Sequence, residues 1–449
     1  MQQTQLTHKL AQTITSTATI DPALFAQLGV KRGLRNDDGT GVLVGLTRIG
    51  DVVGYEHDAD GRVIPVPGRL MYRGYDVADL VAACEAEHRF GFEEVAFLLL
   101  SGQLPNAECL EQFRELLVTN MPLPHEATMS ILALRGSNVM NILARSVLEL
   151  YNYDSAPEDL SLDHAMAQSI ALISQFPTII AYAYNMHRHH TMRLPLHIRL
   201  PKPDLALAQN FLYMLRKDFT ELDAQLLDLL LVLQAEHGGG NNSAFAVRVT
   251  SSTRTDIYSS IAAGIGSLKG PLHGGANIKV TDMMSHLEQV ITDWTDADEI
   301  TAYLERIVRQ EAYDGRGLIY GIGHAVYTIS DPRVELIRAK AQALAAEKGR
   351  SDEFEFIDLV GRQAVEVVSR LKKNGAPIAV NVDFYSGLIY DLIGIPPELY
   401  TPLFAVARIV GWVAHRNEEL NFSGRRIIRP AYSTAIETLP TYVPLAQRG

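Results

Sequence analysis

Apolar residues recur at helical spacing along most of this chain, and this pattern constrains its fold more than any other feature. Between Leu222 and Leu233, leucines fall at i, i+4, i+7, i+8 and i+11, which places them on one face of a helix. The preceding segment 220–223 has the form of a helix-start capping box. Apolar stripes of the same kind run through residues 92–99, 334–344, 357–371 and 403–414. The pattern predicts an all-α or mainly α protein in which helices pack on helices.

One stretch near the N-terminus departs from the helical pattern. Residues 41–75 hold short β-branched runs on either side of the turn sequence Asp58-Ala59-Asp60-Gly61. The sequence of residues 1 to about 35 predicts a helical segment followed by a loop. We therefore expect a small N-terminal β region within an otherwise helical chain.

Composition narrows the classes of partner and the cellular location. Hydrophobic residues make up 47% of the 449 residues, yet no apolar run approaches the roughly 20 residues of a membrane helix. The N-terminal residues contain no apolar segment typical of a secretory signal. The two cysteines, Cys84 and Cys109, form no disulfide framework, which indicates a cytoplasmic protein. A net charge of −12 argues against nucleic acid as a partner but leaves small anions possible, because arginine and histidine can cluster locally.

A glycine-rich stretch, Gly264–Asn277, carries a single histidine. Its five glycines and one proline predict an interruption of the helical pattern, with backbone able to approach a ligand closely. His273 projects from this stretch, so its orientation and tautomer can be fixed. By itself, such a histidine can equally belong to an ordinary connection between helices.

Four further segments interrupt the helices with polar residues. They contain, in chain order, His237 before three glycines, His324 with the later Arg333, Asp383, and the arginines 408, 425, 426 and 429. Each has a plain structural alternative: the histidines can be hydrogen-bonded loop residues, Asp383 a helix cap, and Arg408 half of an internal ion pair. Together they describe a site for a multiply anionic substrate with acid–base chemistry, because the arginine fork binds carboxylates in two places.

No metal or cofactor motif accompanies these residues. The tract His187-Arg188-His189-His190 lacks spaced partner ligands, so no metal site is expected. The glycine spacing at 264–270 is not that of a dinucleotide-binding turn, and the phosphate-loop motif is missing.

At these residues the chain resembles the citrate synthase family. The matching motifs are Gly270-Pro-Leu-His273-Gly-Gly-Ala-Asn277, Gly321-Ile-Gly-His324 with Asp331-Pro-Arg333, and Asn381-Val-Asp383-Phe-Tyr-Ser-Gly387. Segments 72–75 and 92–95 match too, as do Arg408 and Arg429-Pro430, so the resemblance covers nearly the whole chain. It implies a helical homodimer with a large domain of residues 1–274 and 388–449 and a small domain of residues 275–387. The active site would lie in a cleft that closes on the substrates.

The reaction implied by this resemblance joins acetyl-CoA to oxaloacetate and then hydrolyses the thioester, giving citrate and CoA without a cofactor. Asp383 matches the base that removes a methyl proton. His273 matches the group that stabilises the resulting enol or enolate. His324 matches the donor that polarises the oxaloacetate carbonyl and protonates the new alkoxide.

The resemblance also implies the binding residues. Those expected at oxaloacetate are His237, Asn241, Arg333, Arg408 and Arg429, the last of them reaching across from the other subunit. Arg32 and Asn381 match positions that contact CoA.

The chain departs from common family patterns at three positions. Gln234 stands where many members have histidine, Gly238 where they have an acidic residue, and Thr328 where a basic residue meets the CoA phosphate. Two alternatives therefore stay open. One is a 2-methylcitrate synthase using propionyl-CoA, since a single methylene is worth only about 1–3 kcal/mol in a pocket. The other is a catalytically silent homologue that binds CoA or a dicarboxylate.

Overall fold

The chain forms two compact units of unequal size. The structure, a computed structural model, describes residues 2–372, 377–424, 426–436 and 440–448. The larger unit comprises residues 46–427, and the smaller comprises residues 1–45 with 428–449. Across the described residues there are eighteen α-helices and one three-stranded sheet, which confirms the predicted mainly helical class with a small N-terminal β region. The predicted boundaries at residues 275 and 387 both fall inside the larger unit and stay a prediction.

The described residues of the smaller unit form one helix of 16 residues and three shorter elements. Its elements are α1 (Gln2–Thr17), α2 (Ala23–Gln27) and two 3₁₀ turns, Arg32–Leu34 and Leu445–Gln447. Gly33 has a φ of 62°, in the left-handed region that glycine adopts without strain.

The sheet of the larger unit is an antiparallel hairpin with a short third strand. Its strands are β1 (Gly50–His57), β2 (Val63–Tyr72) and β3 (Tyr75–Asp76). The predicted turn is confirmed, since the Gly61 N–H donates to the Asp58 carbonyl at 2.9 Å. The pairing register shifts between Val53 and Tyr55, an irregularity at which residues 66–68 of β2 face the single residue Gly54. The predicted β region began too early, because residues 42–49 lie outside any strand and have no sheet neighbour to pair with.

The helices of the larger unit follow one another through short connections. Before the glycine-rich stretch they are α3 (Val77–Ala86), α4 (Phe92–Ser101), α5 (Ala107–Asn120), α6 (His125–Ala133), α7 (Val139–Leu150), α8 (Leu162–Met192), α9 (Leu207–Arg216), α10 (Glu221–Gln234), α11 (Asn242–Ser251) and α12 (Ile257–Leu268). After it they are α13 (Ala276–Val290), α14 (Ala297–Val308), α15 (Pro332–Glu347), α16 (Ser351–Lys372), α17 (Asp383–Leu392) and α18 (Tyr400–Asn421).

Two apolar helices, α10 and α18, form the centre of the core. Nearly every residue of α18 is buried, and this helix packs against α4, α8, α10, α11 and α12. The predicted capping box is confirmed at the start of α10, where the Thr220 hydroxyl accepts from the Asp223 N–H and the Asp223 carboxylate accepts from the Thr220 N–H. Arg408 lies within α18 and His237 follows the C-terminal end of α10, so the core itself positions these two site residues.

The glycine-rich stretch begins to depart from a helix later than predicted. Helix α12 runs through Gly264 and Gly266 and ends at Leu268, so the predicted interruption at Gly264 is wrong. A Cβ on Gly264 would lie 2.6 Å from Val247 and 3.3 Å from Trp412. Gly264 therefore allows α12 to pack closely against α11 and α18. The sequence alone does not show whether a glycine is needed for close packing or for a turn.

Candidate active site

His237 follows α10 on a segment whose backbone carbonyls accept hydrogen bonds from α18 and from Tyr72. Arg408 Nε donates to the Gln234 carbonyl at 2.7 Å, and the Gly411 N–H donates to the Ala235 carbonyl at 3.2 Å. The Tyr72 hydroxyl donates to the Val232 carbonyl at 2.8 Å. These contacts satisfy the carbonyls that a helix end leaves unpaired, and so fix where the segment leaves the helix.

Glu236, directly before His237, is anchored by a buried polar chain. Arg248 can only donate, so its contact with His415 Nδ1 at 3.2 Å leaves the imidazole proton on Nε2, which donates to Glu236 Oε1 at 2.9 Å. Burial opposes the charge of Glu236, but His415 and Arg408 outweigh it and hold the pKa of this carboxyl below its usual value. A fixed, ionised Glu236 therefore ties the segment of His237 to α11 and α18.

His324 lies on a glycine turn that is pinned to the segment before α17. Gly321 and Gly323 have φ values of 81° and 91°, and the Gly323 N–H donates to the Ala379 carbonyl at 2.7 Å. Asn381 Nδ2 donates to the Gly323 carbonyl at 2.9 Å. Nδ1 of His324 accepts from the N–H groups of residues 326 and 327, each at 3.1 Å. The imidazole proton therefore sits on Nε2, which makes that atom a hydrogen-bond donor.

The β-hairpin presses two glycines against the loop that carries His324. A Cβ on Gly54 would lie 2.4 Å from the Val326 carbonyl oxygen, and one on Gly68 would lie 2.2 Å from that of Ser330. The Gly68 N–H also donates to Ser330 Oγ at 3.2 Å. Only a residue without a side chain permits this approach, so the hairpin sets the position of the loop.

Three aromatic rings meet where these segments converge. The ring centres of His237 and His324 are 5.0 Å apart, and Tyr327 lies 4.6 Å from His324 and 5.6 Å from His237. Burial lowers the pKa of His237 well below its usual value, and the nearby cation Arg333 adds to this effect. His237 is therefore neutral at physiological pH.

Arg333 is buried at the start of α15 and paired with Asp331. Its Nε and Nη2 donate to the two carboxylate oxygens at 2.9 and 2.7 Å. Although burial opposes its charge, Asp331 raises the pKa of Arg333. Asp331 also accepts from the Val382 N–H at 3.3 Å, which joins α15 to the segment before Asp383. The pairing uses one edge of the guanidinium and leaves Nη1 for another acceptor.

Asp383 is the first residue of α17 and is half-buried beside the two predicted arginines. Val382 occupies the N-cap position of this helix, and Asn381 Oδ1 accepts from the Asp383 N–H at 3.1 Å, so the alternative of Asp383 as the cap is wrong. Burial raises the pKa of Asp383 to about 6, against the opposing charges of Arg333 and Arg408. Its carboxylate is ionised at neutral pH and close to the pKa that suits a base.

His273 lies in the turn between α12 and α13 and contacts a serine that sequence reasoning missed. Its Nε2 is 3.0 Å from the Ser243 hydroxyl, which also accepts from Trp412 Nε1 at 3.1 Å. Burial lowers the pKa of His273 to about 4, and the charge of Arg408 contributes. His273 is therefore neutral, with its Nε2 side fixed by Ser243.

Arg408 lies at the centre of these charges. It is buried on α18 with its guanidinium 4.8 Å from the Phe404 ring, and it forms no ion pair with any described residue, so the ion-pair alternative is wrong. Burial lowers its pKa to about 10, which leaves it charged.

Several buried polar atoms find no hydrogen-bond partner among the described residues. They include Arg408 Nη1, His237 Nε2 and the Tyr327 hydroxyl. Unpaired buried polar groups are rare in proteins and often mark a site for a polar ligand. Tyr327 also escaped sequence reasoning, although its position three residues after His324 was a usable signal.

The other predicted residues occupy varied surroundings. Asn241 Oδ1 accepts from the Ser243 hydroxyl at 2.9 Å, next to His273. Gly238 has a φ of 81°, in the left-handed region, where the acidic side chain expected from the resemblance is disfavoured. Arg32 and Arg429 belong to the smaller unit, where Arg32 lies 5.9 Å from the Phe25 ring and Arg429 is exposed. Among the described residues, no group of His, Cys, Asp and Glu side chains could hold a metal ion.

Comparison with known proteins decides the family. Residues 37–431 match the family model described as citrate synthase, C-terminal domain. The chain is a member of the citrate synthase family. It is 37% identical over 391 residues to a citrate synthase of Acidithiobacillus ferridurans. The aligned region covers 85% of this chain and 93% of that protein. It is 32% identical to a 2-methylcitrate synthase of Shewanella oneidensis, over 84% of this chain and 92% of the relative.

Solved citrate synthases share the fold. The citrate synthase of Pyrobaculum aerophilum has 30% sequence identity to this chain. Its crystal structure matches this one with a TM-score of 0.73 over 91% of this chain and 94% of that one. The Thermoplasma acidophilum enzyme, solved as a ternary complex with carboxymethyl coenzyme A and oxaloacetate, is 25% identical. Its TM-score is 0.74 over 91% and 97% of the two chains. Family membership and fold together show an enzyme that catalyses a citrate synthase-type condensation.

Proposed function

We propose that this enzyme condenses acetyl-CoA with oxaloacetate and hydrolyses the product thioester to citrate and CoA. The observation that carries the proposal is the set of unpaired buried groups, Arg408 Nη1 and His237 Nε2, beside a carboxyl of raised pKa at Asp383. A ligand bearing carboxylates and a carbonyl would satisfy the unpaired groups. The carboxyl of raised pKa would serve as the base.

Asp383 takes a proton from the acetyl methyl group in this mechanism. A methyl group next to a thioester is a weak acid, so the charge that develops on the thioester oxygen must be stabilised at the same moment. His273 supplies that donor from Nδ1 in the tautomer in which the single hydroxyl proton of Ser243 points to His273 Nε2 instead of to Asn241 Oδ1. A positioned base contributes about 10²–10⁴ in rate and an oriented donor about 10²–10³.

The new carbon–carbon bond forms between the acetyl methyl carbon and the keto carbon of oxaloacetate. His324 Nε2–H polarises the keto oxygen and delivers its proton to the alkoxide that forms. Water then attacks the thioester carbonyl, and CoA leaves as the thiol. Because His273 and His324 act as neutral donors, neither adds net charge to a site that already holds two arginines. No step in this chemistry needs a cofactor.

Arginines and histidine bind oxaloacetate in this proposal. Arg408 offers Nη1, and Arg333 offers the edge of its guanidinium that Asp331 leaves free. His237 donates from Nε2, and Asn241 supports the site through Ser243. In a homodimer, Arg429 of a second subunit completes the carboxylate site. Arg32 and Asn381 remain the proposed CoA contacts, and the cytoplasm remains the expected location.

Use of propionyl-CoA, which would make the product 2-methylcitrate, is the second candidate. The similarity to the 2-methylcitrate synthase of Shewanella oneidensis favours this candidate, because the same catalytic residues can serve both acyl groups. The experiment that separates the two measures oxaloacetate-dependent CoA release as kcat/KM for acetyl-CoA and for propionyl-CoA. A preference for acetyl-CoA supports the proposal. A preference for propionyl-CoA would replace it with the second candidate and leave the residue roles unchanged.

A further inference from the structure

Tyr327 is a buried aromatic residue that contacts three groups of the candidate active site at once. Its ring centre lies 4.6 Å from that of His324 and 5.6 Å from that of His237. The guanidinium carbon of Arg333 lies 5.6 Å from the same ring centre. One side chain therefore contacts the proposed carbonyl donor and two of the residues proposed to bind oxaloacetate.

Tyr327 constrains His324 in two separate ways. The two ring planes are inclined by only 23°, so Tyr327 stacks on the imidazole and limits its rotation. The Tyr327 N–H also donates to His324 Nδ1 at 3.1 Å. An imidazole nitrogen that accepts a hydrogen bond carries no proton, so this contact places the proton on Nε2. The ring thus fixes where Nε2 points, and the backbone fixes which nitrogen is the donor.

The same ring sets the spacing of the two groups that would bind carboxylate. His237 meets it edge to face, with the ring planes at 90°. Arg333 lies within the range of about 6 Å over which a cation and an aromatic ring attract each other. A smaller side chain at position 327 would leave a cavity into which His324, His237 and Arg333 could all move.

Tyr327 itself has little freedom to move. It is fully buried, and a Cβ on Gly68 would lie 2.7 Å from Cδ1 of its ring, so β2 packs directly against it. Its hydroxyl is buried without a hydrogen-bond partner among the described residues. Burial raises the pKa of this hydroxyl above its usual value, so the group is neutral. The contacts with the site involve the ring, and a role of the ring can therefore be separated from a role of the hydroxyl.

We propose that Tyr327 is a positioning residue whose ring holds His324, His237 and Arg333 in the arrangement that polarises the keto group of oxaloacetate. This proposal rests on the proposed function, because it acts through residues assigned there. Among the described residues, the Tyr327 ring contacts neither His273 nor Asp383. Loss of the ring should therefore affect the use of oxaloacetate more than the binding of acetyl-CoA.

The test compares Tyr327→Phe, which keeps the ring, with Tyr327→Leu, which removes it. Tyr182→Leu is the matched control, because Tyr182 is also buried but lies on α8, where its hydroxyl donates to the Arg199 carbonyl. Oxaloacetate-dependent CoA release gives kcat and the KM of each substrate, and urea unfolding gives stability. Crystal structures of the unliganded variants show the orientation of His324 without relying on turnover.

Tyr327→Phe should leave kcat and both KM values unchanged. Tyr327→Leu should displace the imidazole of His324 by about 1 Å and lower kcat/KM for oxaloacetate about 10- to 100-fold, with little change in the KM for acetyl-CoA. Tyr182→Leu should lose stability and keep kcat, since it also removes a buried ring but not one that contacts the site. If Tyr327→Leu does not fold, Tyr327→Met, which fills more of the space without a ring, replaces it with the same expectations.

Wild-type kcat/KM for oxaloacetate in the variant without the ring would overturn the proposal. An unmoved His324 in its crystal structure would overturn it too, and so would an equal loss of activity in Tyr327→Phe, which would assign the effect to the hydroxyl. If the wild type released no CoA with oxaloacetate, the proposed function would fail, whereas the orientation of His324 in the variant crystals would still test the role of Tyr327.

Discussion

Gly68 offers a direct way to move the His324 loop without changing any group that touches a substrate. Gly68 lies on β2, and its N–H donates to Ser330 Oγ. A methyl group at this position would meet the Ser330 carbonyl oxygen at 2.2 Å, the Tyr327 ring at 2.7 Å and Pro332 at 2.9 Å. Two of these neighbours belong to the backbone or to a rigid ring close to the backbone, so the added methyl cannot be accommodated by turning a flexible side chain.

The size of the effect follows from these distances. Ordinary contact with a Cβ begins near 3.4 Å, so Gly68→Ala must separate β2 from the loop by about 1 Å. Overpacking of this kind typically costs about 1–3 kcal/mol of folding stability. A displacement of about 1 Å at a catalytic group can lower the rate by about 10²-fold. We therefore expect kcat/KM for oxaloacetate to fall about 10- to 100-fold in a variant that still folds.

The assay compares Gly68→Ala with Gly266→Ala, using CoA release for activity and urea unfolding for stability. Gly266 lies in α12 with no atom within 4 Å of an added Cβ, so alanine there should preserve activity and stabilise the helix by up to about 1 kcal/mol. Wild-type activity in Gly68→Ala would refute the reasoning, since it would show that the hairpin does not set the position of His324.

Three further substitutions test individual groups of the site. Asp383→Asn should abolish nearly all turnover, measured as CoA release, and retained turnover would contradict the role of Asp383 as base. The same variant should lose no folding stability at pH 7, as measured by urea unfolding. The reason is that a carboxyl whose pKa is raised to about 6 in the folded protein opposes folding when it ionises as the pH rises. The same pKa predicts that wild-type kcat/KM falls as pH drops below about 6. Arg408→Gln should raise the KM for oxaloacetate and move this acid limb to higher pH, because Arg408 favours the ionised Asp383; an unchanged pH profile would exclude that coupling. Ser243→Ala should lower kcat about tenfold, since His273 loses its Nε2 partner, and an unchanged kcat would mean that Ser243 does not orient His273.

Local patterns predicted the helices well because their cause is local. The leucine spacing after Thr220 predicted α10, and its capping box is present as expected. The same reasoning failed at Gly264, where the glycine permits close helix packing instead of a turn. Glycine spacing alone carries no information about which of these uses applies, because the partner helix is distant in sequence.

The network around the site could not be read from the sequence for the same reason. Ser243 meets Trp412, and Glu236 meets His415, across 169 and 179 residues respectively. No periodicity or motif links such positions. The motifs around His273, His324 and Asp383 were visible because each is continuous in the chain, whereas the groups that orient them come together only in the folded core.

The measurement that tests the central claim most directly is CoA release from acetyl-CoA by the wild type and by Asp383→Asn, each with and without oxaloacetate. We expect rapid release only from the wild type with oxaloacetate present, together with an equal amount of citrate identified by mass. Release without oxaloacetate, or undiminished release by the folded Asp383→Asn variant, would contradict a condensation that begins with proton removal by Asp383.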